Sequence, residues 1–115
     1  MRGLGDLESV VMTLLWSADT PMTVREVLDR MDRQPPLAYT TVLTVVDNLH
    51  RKGFLTRAKD GRAFRYQPVK AREEYAADLM ADVLSSSGDR SETLLNFVHR
   101  MSAEELSRLR RALGE

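Results

Sequence analysis

A mainly α-helical chain with one small β-hairpin is the fold class this sequence predicts, and three observations within residues 37–68 predict it. An apolar-periodic helix runs from about Ala38 to Lys52 and stops at Gly53. Two short alternating stretches follow, hinged on Asp60-Gly61, a strong hairpin cue. The hairpin and the adjoining helix end carry Arg51, Lys52, Arg57, Lys59, Arg62 and Arg65. Helix, glycine stop and basic hairpin in that order describe a winged helix-turn-helix, a shape that sets one helix in a DNA groove and the hairpin against the backbone.

The other elements follow from the same periodicities. Asp6 stands as an N-cap before Leu7, Val10, Val11, Leu14 and Leu15, so a first helix is expected over about Leu7 to Ser17, with Trp16 packing under the domain. Thr23-Val24-Arg25-Glu26 has capping-box spacing and opens a second helix of about ten residues on Val24, Val27, Leu28 and Met31. Gln34-Pro35-Pro36 ends it. In the third helix Val42, Val45, Val46 and Leu49 face inward. Strands are expected over residues 54–59 and 63–66, joined by a loop slightly longer than two residues, and Pro68 closes the second. Beyond Lys70, one helix is marked by Tyr75, Leu79, Met80, Val83 and Leu84, and another by Leu94, Leu95, Phe97, Val98 and Met101. Ser102-Ala103-Glu104-Glu105 caps a last one through Leu106, Leu109 and Leu113. Each of these offers a single apolar stripe, so the segment needs a copy of itself for burial. The expected organisation is a winged helix-turn-helix DNA-binding domain over residues 1–68 and a helical dimerisation segment over residues 69–115.

At 115 residues and 43% hydrophobic content the chain suits one small domain with an accessory segment. Its net charge is zero, but residues 38–68 hold six basic side chains against two acidic ones, whereas residues 69–115 hold seven against nine. A local surplus matters more for phosphate binding than the total. Cysteine is absent, which removes disulfides, thiolate metal sites and cysteine nucleophiles. With no cysteine and only His50 and His99, neither a metal nor another cofactor is expected. No phosphate-cradling glycine loop or nucleophile elbow occurs, and no enzyme activity is expected. No apolar run approaches a membrane span or signal peptide, so no membrane insertion and a cytoplasmic location are expected.

Tyr39, Thr40, Thr41 and Thr44 are the base-reading candidates. A threonine can hydrogen-bond a base edge or set its methyl against thymine, and a tyrosine can reach phosphate or base. The same threonines would suit an ordinary solvated helix face, and the attached hairpin favours DNA. Arg51, Lys52, Arg57, Lys59, Arg62 and Arg65 are the phosphate candidates; such contacts fix register without reading sequence and weaken with salt. The dimerisation candidates are Tyr75, Leu79, Val83, Leu94, Leu95, Phe97, Val98, Leu106 and Leu109. Glu73-Glu74 and Glu104-Glu105 complement helix N-termini.

The run Leu4-Gly5-Asp6-Leu7-Glu8 to Leu14-Leu15-Trp16, then Thr23 to Val27, Ala38-Tyr39-Thr40-Thr41-Val42 and Asp60-Gly61-Arg62-Ala63-Phe64-Arg65-Tyr66, resembles the penicillinase repressor family, and its Tyr-Thr-Thr is most similar to actinobacterial members. The resemblance covers essentially the whole chain. It implies a homodimeric winged-helix repressor on palindromic operator DNA, with the third helix in the major groove, the wing on the backbone and the C-terminal helices entwined. It supports Thr40, Thr41 and Thr44 as reading positions and Arg62 and Arg65 as wing contacts. Where other members place a basic residue in the third helix, Thr40 and Leu43 stand here. The resemblance also implies relief of repression by a signalling membrane protease that cuts an Asn-Phe bond in the dimerisation segment, matched by Asn96-Phe97. The copper-responsive branch has a cysteine-rich tail, and this chain has no cysteine. The alternative from a different class is a winged-helix protein-interaction module without DNA binding, kept open by the zero net charge. Titration against mixed DNA at two salt concentrations separates the two readings.

Overall fold

Apolar stripes at helical spacing, sealed by one tyrosine from a hairpin, set the architecture. The computed structural model describes residues 3–115. In chain order the elements are α1 (Asp6–Ser17), α2 (Val24–Arg30), α3 (Tyr39–Arg51), β1 (Leu55–Asp60), β2 (Ala63–Pro68), α4 (Arg72–Ser85), α5 (Arg90–Val98) and α6 (Ala103–Ala112). The fold is mainly α with one antiparallel hairpin. The chain divides into two compact units, Met1–Tyr75 and Ala76–Glu115.

The core lies wholly in the first unit. Val11, Met12 and Leu15 of α1 meet Val24 and Val27 of α2 and Val42, Val46 and Leu49 of α3, with Met22, Leu55 and Tyr66 closing the open side. Val45, expected to face inward, is half-buried against this cluster. Burying side chains of this size stabilises by roughly 1.5–3 kcal/mol each, so packing carries α3, whose valines give it only moderate intrinsic propensity.

Local chemistry sets the ends of the elements. Gly5 rather than Asp6 is the N-cap of α1; its N–H donates to Glu8 Oε1 (2.8 Å), and Asp6 occupies the first helical position. A carboxylate there still complements the helix dipole. The expected capping box of α2 forms: Glu26 N–H donates to Thr23 Oγ1 (3.1 Å) and Thr23 N–H to Glu26 Oε1 (2.9 Å). This helix is shorter than expected and ends at Arg30. Pro35 and Pro36 bar the helix from running past about residue 34, and the chain already leaves it at Met31, which has extended φ/ψ. Arg33 N–H takes the Met31 carbonyl (3.1 Å).

Gly53, at φ +88°, ends α3 in a Schellman motif. Its N–H donates to His50 O (3.1 Å), and Phe54 N–H donates to Leu49 O (3.0 Å). Because Phe54 is occupied in closing the helix, β1 begins one residue later than the alternation predicts. The strands pair in register from Leu55 with Pro68 to Asp60 with Ala63. The connection is therefore a two-residue turn, Gly61-Arg62, tighter than expected. Gly61 has φ +64° and Arg62 a negative φ, which fits a type II′ turn with glycine at its first central position.

On the other edge of β2, Met22 and Tyr66 exchange backbone hydrogen bonds of 2.9 and 2.8 Å, so the turn before α2 acts as a one-residue third strand. The Trp16 indole N–H donates to Lys70 O (3.0 Å), and its ring lies 5.7 Å from that of Tyr75, which meets Phe54 edge-on at 5.2 Å. In the second unit Asp89 caps α5 through Glu92 N–H (3.0 Å), and Ser102 and Glu105 form the expected capping box of α6. Among the described residues, no helix is long and apolar enough to cross a membrane.

Replacing an N-cap threonine by alanine costs about 1 kcal/mol. Thr23→Ala is expected to lower the urea midpoint accordingly, whereas Thr23→Ser, which keeps the acceptor, leaves it nearly unchanged.

Candidate nucleic-acid interface

At 100° per residue, Val42, Val46 and Leu49 occupy one side of α3, and Thr40, Thr44, Asp47 and Arg51 form the row opposite. Thr41 and Asn48 flank that row on one side and Leu43 on the other, with Tyr39 beyond Leu43 at the edge of the buried side. Tyr39, Thr40, Thr41, Leu43, Thr44 and Arg51 are exposed. The four base-reading candidates thus lie together on the first turns of α3, outside the core. Thr44 Oγ1 donates to Thr40 O (2.9 Å), so its hydroxyl hydrogen is occupied and its acceptor lone pairs remain. Asp47 pairs with Arg51 (3.3 Å), and Arg51 also donates to Asn48 Oδ1.

The Arg25 guanidinium lies 5.0 Å from the Tyr39 ring centroid, so the first turn of α2 adds a cation beside the start of α3. Sequence reasoning missed Arg25. It sits inside the capping box, where only Thr23 and Glu26 have a positional signal, and its partner is on another helix.

The six phosphate candidates occupy different environments. Arg62 at the turn and Lys59 on β1 are exposed, and neither has an ion pair among the described residues. Arg57 stacks its guanidinium 4.1 Å from the Phe64 ring centroid, an arrangement that leaves its N–H edges available. Lys52, by contrast, reaches back to α1, its Nζ 2.9 Å from each Glu8 carboxylate oxygen. Arg65 is drawn into the protein: Nε donates to Asp60 Oδ2 (2.7 Å), and Nη1 to Glu26 Oε1 (2.7 Å) and Pro21 O (3.2 Å).

These pairings tune the acids involved. Glu26 is held below the ordinary glutamate value of 4.5, first by the Thr23 N–H it accepts and then by the Arg65 charge. Glu8 is lowered first by the Gly5 N–H and then by Lys52, and burial pushes the Tyr75 hydroxyl up.

The dimerisation candidates form a different surface. None of the described side chains of α4, α5 or α6 is buried. Leu95 is 54% exposed and Leu113 71%, with Val83, Leu94, Phe97 and Leu109 also open. Leu79, Val98 and Leu106 are half-buried. Tyr75 stands apart from these, since its ring packs on Trp16 and Phe54 in the first unit. Asn96 and Phe97 are exposed near the end of α5, where Asn96 Nδ2 donates to Glu92 O (2.9 Å). Among the described residues, no group of three His, Cys, Asp or Glu side chains could hold a metal ion.

Three helices, the third with a polar outer face, and a two-stranded wing make the first unit a winged-helix domain. Residues 4–115 match the family model described as penicillinase repressor. The chain is 47% identical over 115 residues to the transcriptional regulator BlaI of Mycobacterium tuberculosis (strain ATCC 25618 / H37Rv), covering 97% of this chain and 83% of that relative. It is 27% identical over 116 residues to the penicillinase repressor of Bacillus licheniformis, covering 97% of this chain and 90% of that protein. The solution structure of the DNA-binding domain of the repressor BlaI superposes with a TM-score of 0.55 at 27% identity, over 64% of this chain and 88% of that one. The chain therefore belongs to the penicillinase repressor family of winged-helix transcriptional regulators, which are not enzymes.

A carboxyl lowered on folding contributes stability that is complete above its unfolded value and lost as pH falls through its folded value. The Glu26 carboxyl is expected to titrate below 4.5 in side-chain NMR. Arg65→Gln should move the midpoint only part of the way up, because the Thr23 N–H remains.

Proposed function

We propose that this protein is a transcriptional repressor that binds palindromic operator DNA as a homodimer. The observation that carries the reading is the exposed face of α3, where Thr40, Thr41 and Thr44 point away from the core, with Tyr39 exposed at the edge of the same first turn. Short hydroxyl side chains on the first turns of a helix can enter a major groove and meet base edges. Arg62, Lys59 and Arg57 on the wing, with Arg51 at the end of α3, supply cations to phosphate. Arg25 beside Tyr39 adds a further backbone contact. Residues 1–68 are then the DNA-binding domain.

The open apolar surface of α4 to α6 supports the second half of the reading. Leucine, valine and phenylalanine side chains left in water are covered in a dimer of entwined tails, built on Leu79, Val83, Leu94, Leu95, Phe97, Val98, Leu106 and Leu109 over residues 69–115. Two joined reading heads bind a twofold site far more tightly than one. Repression is relieved by a signalling membrane protease that cuts between Asn96 and Phe97 during a β-lactam response. The exposure of that bond supports this step, and local unwinding of α5 must precede cutting.

The test is selection of duplexes from random-sequence DNA by the full chain, followed by titration across salt. Arg62→Ala should weaken binding to selected and random duplexes alike and reduce the salt slope by about 0.9. Thr40→Val and Thr41→Val should leave the slope intact and relax discrimination at particular positions by roughly 1 kcal/mol or more. Equal effects of both kinds of variant on selected and random DNA would overturn the assignment. Leu95→Asp should yield a monomer in sedimentation and abolish preference for twofold sites over half-sites; a variant that stays dimeric removes α5 from the interface. Exposure of the host to a β-lactam should shorten the chain to end at Asn96, and a full-length band throughout would eliminate the cleavage step.

A further inference from the structure

Resting on the DNA-binding reading, we infer that Arg65 is a positioning residue: it ties Asp60 at the tip of the wing to Glu26 in the first turn of α2, and so holds the wing at a fixed pitch beside α3 without touching the duplex. Two of the three guanidinium nitrogens, Nε and Nη1, are already engaged. Asp60 Oδ2 and Glu26 Oε1 each lie 2.7 Å from it, and Pro21 O lies 3.2 Å away. A phosphate approaching Arg65 would have to compete with two carboxylates that already share its charge. Arg62, three positions earlier, has no such guard among the described residues.

The arms of the network start from fixed points. Glu26 Oε1 also accepts the Thr23 N–H, so the carboxylate that Arg65 grips is anchored to the α2 N-cap. Next along α2, Arg25 lies over Tyr39, the first residue of α3. Next along β2, Tyr66 is pinned by its two backbone hydrogen bonds to Met22. The root of the wing is therefore fixed by backbone, while Arg65 is the side chain that reaches from the tip strand residue Asp60 to the helix pair. With Arg65 38% exposed, its ion pairs add little to overall stability, and their effect falls on orientation.

Neutralising an acid beside DNA raises affinity by simple electrostatics, so the positioning role predicts the opposite sign for Glu26 and Asp60. The probe is the pool of duplexes that the unaltered full chain enriches from random-sequence DNA, titrated across salt with Arg65→Gln, Glu26→Gln, Asp60→Asn and the double variant Arg65→Gln/Glu26→Gln. Each single variant is expected to weaken binding by about fivefold, the factor an exposed pair can move, with the salt slope unchanged. The double variant should be no weaker than Arg65→Gln alone, and unfolding midpoints should stay close to that of the unaltered chain. A slope reduced by about 0.9 in Arg65→Gln, or tighter binding by Glu26→Gln or Asp60→Asn, would identify Arg65 as a phosphate contact and overturn the inference while leaving the repressor reading intact. An unaltered chain that enriches no duplex overturns the repressor reading, and the positioning role with it.

Discussion

The burial of Val42, Val46 and Leu49 against α1 and α2 is the constraint on which the rest depends. It fixes the rotation of α3 about its own axis, and that rotation decides which residues look outward. A helix of valines and threonines has no strong preference of its own, so the core does the orienting. With the inward side taken, Thr40, Thr44 and their neighbours can only face solvent. The same core extends through Leu55 and Tyr66, so the wing is tied to the orientation of the helix by shared packing. The Schellman closure at Gly53 brings the chain from helix to strand with almost no slack.

Most of this was legible from residue order because its causes are local. Capping pairs such as Thr23 with Glu26, the glycine stop at residue 53 and the Asp60-Gly61 hinge act over a few residues, and each forms in the structure. Valine spacing identified the buried side of α3 without any knowledge of its neighbours. The errors also have local causes. Asp6 is a good capping residue, but Gly5 takes that position and supplies the N–H that Glu8 accepts. The loop of the hairpin was overestimated because the alternation hid the pairing of Asp60 with Ala63.

What escaped the sequence is pairing between distant residues. Six cations near one hairpin look alike as letters, yet the structure separates them into exposed ones and engaged ones. Lys52 is bound to Glu8 and Arg65 to Asp60 and Glu26, whereas Arg62 projects from the turn. Part of what tells Arg65 from Arg62 is local, Asp60 on the paired strand, and the rest is Glu26 of α2, far along the chain. Arg25 over Tyr39 escaped for the same reason. Tyr75 fitted the apolar stripe of α4, but its ring is held by Trp16 and Phe54.

All the buried hydrophobic side chains among the described residues precede Val69, in the part of the chain that holds α1 to β2. Breakage of the chain within α5 would remove none of them. On the proposed reading, such damage would leave the buried core of each head intact and would alter only how many heads arrive together. A repressor released in that proposed way would respond through stoichiometry, not through shape, and would recover its former strength only when new polypeptide is made.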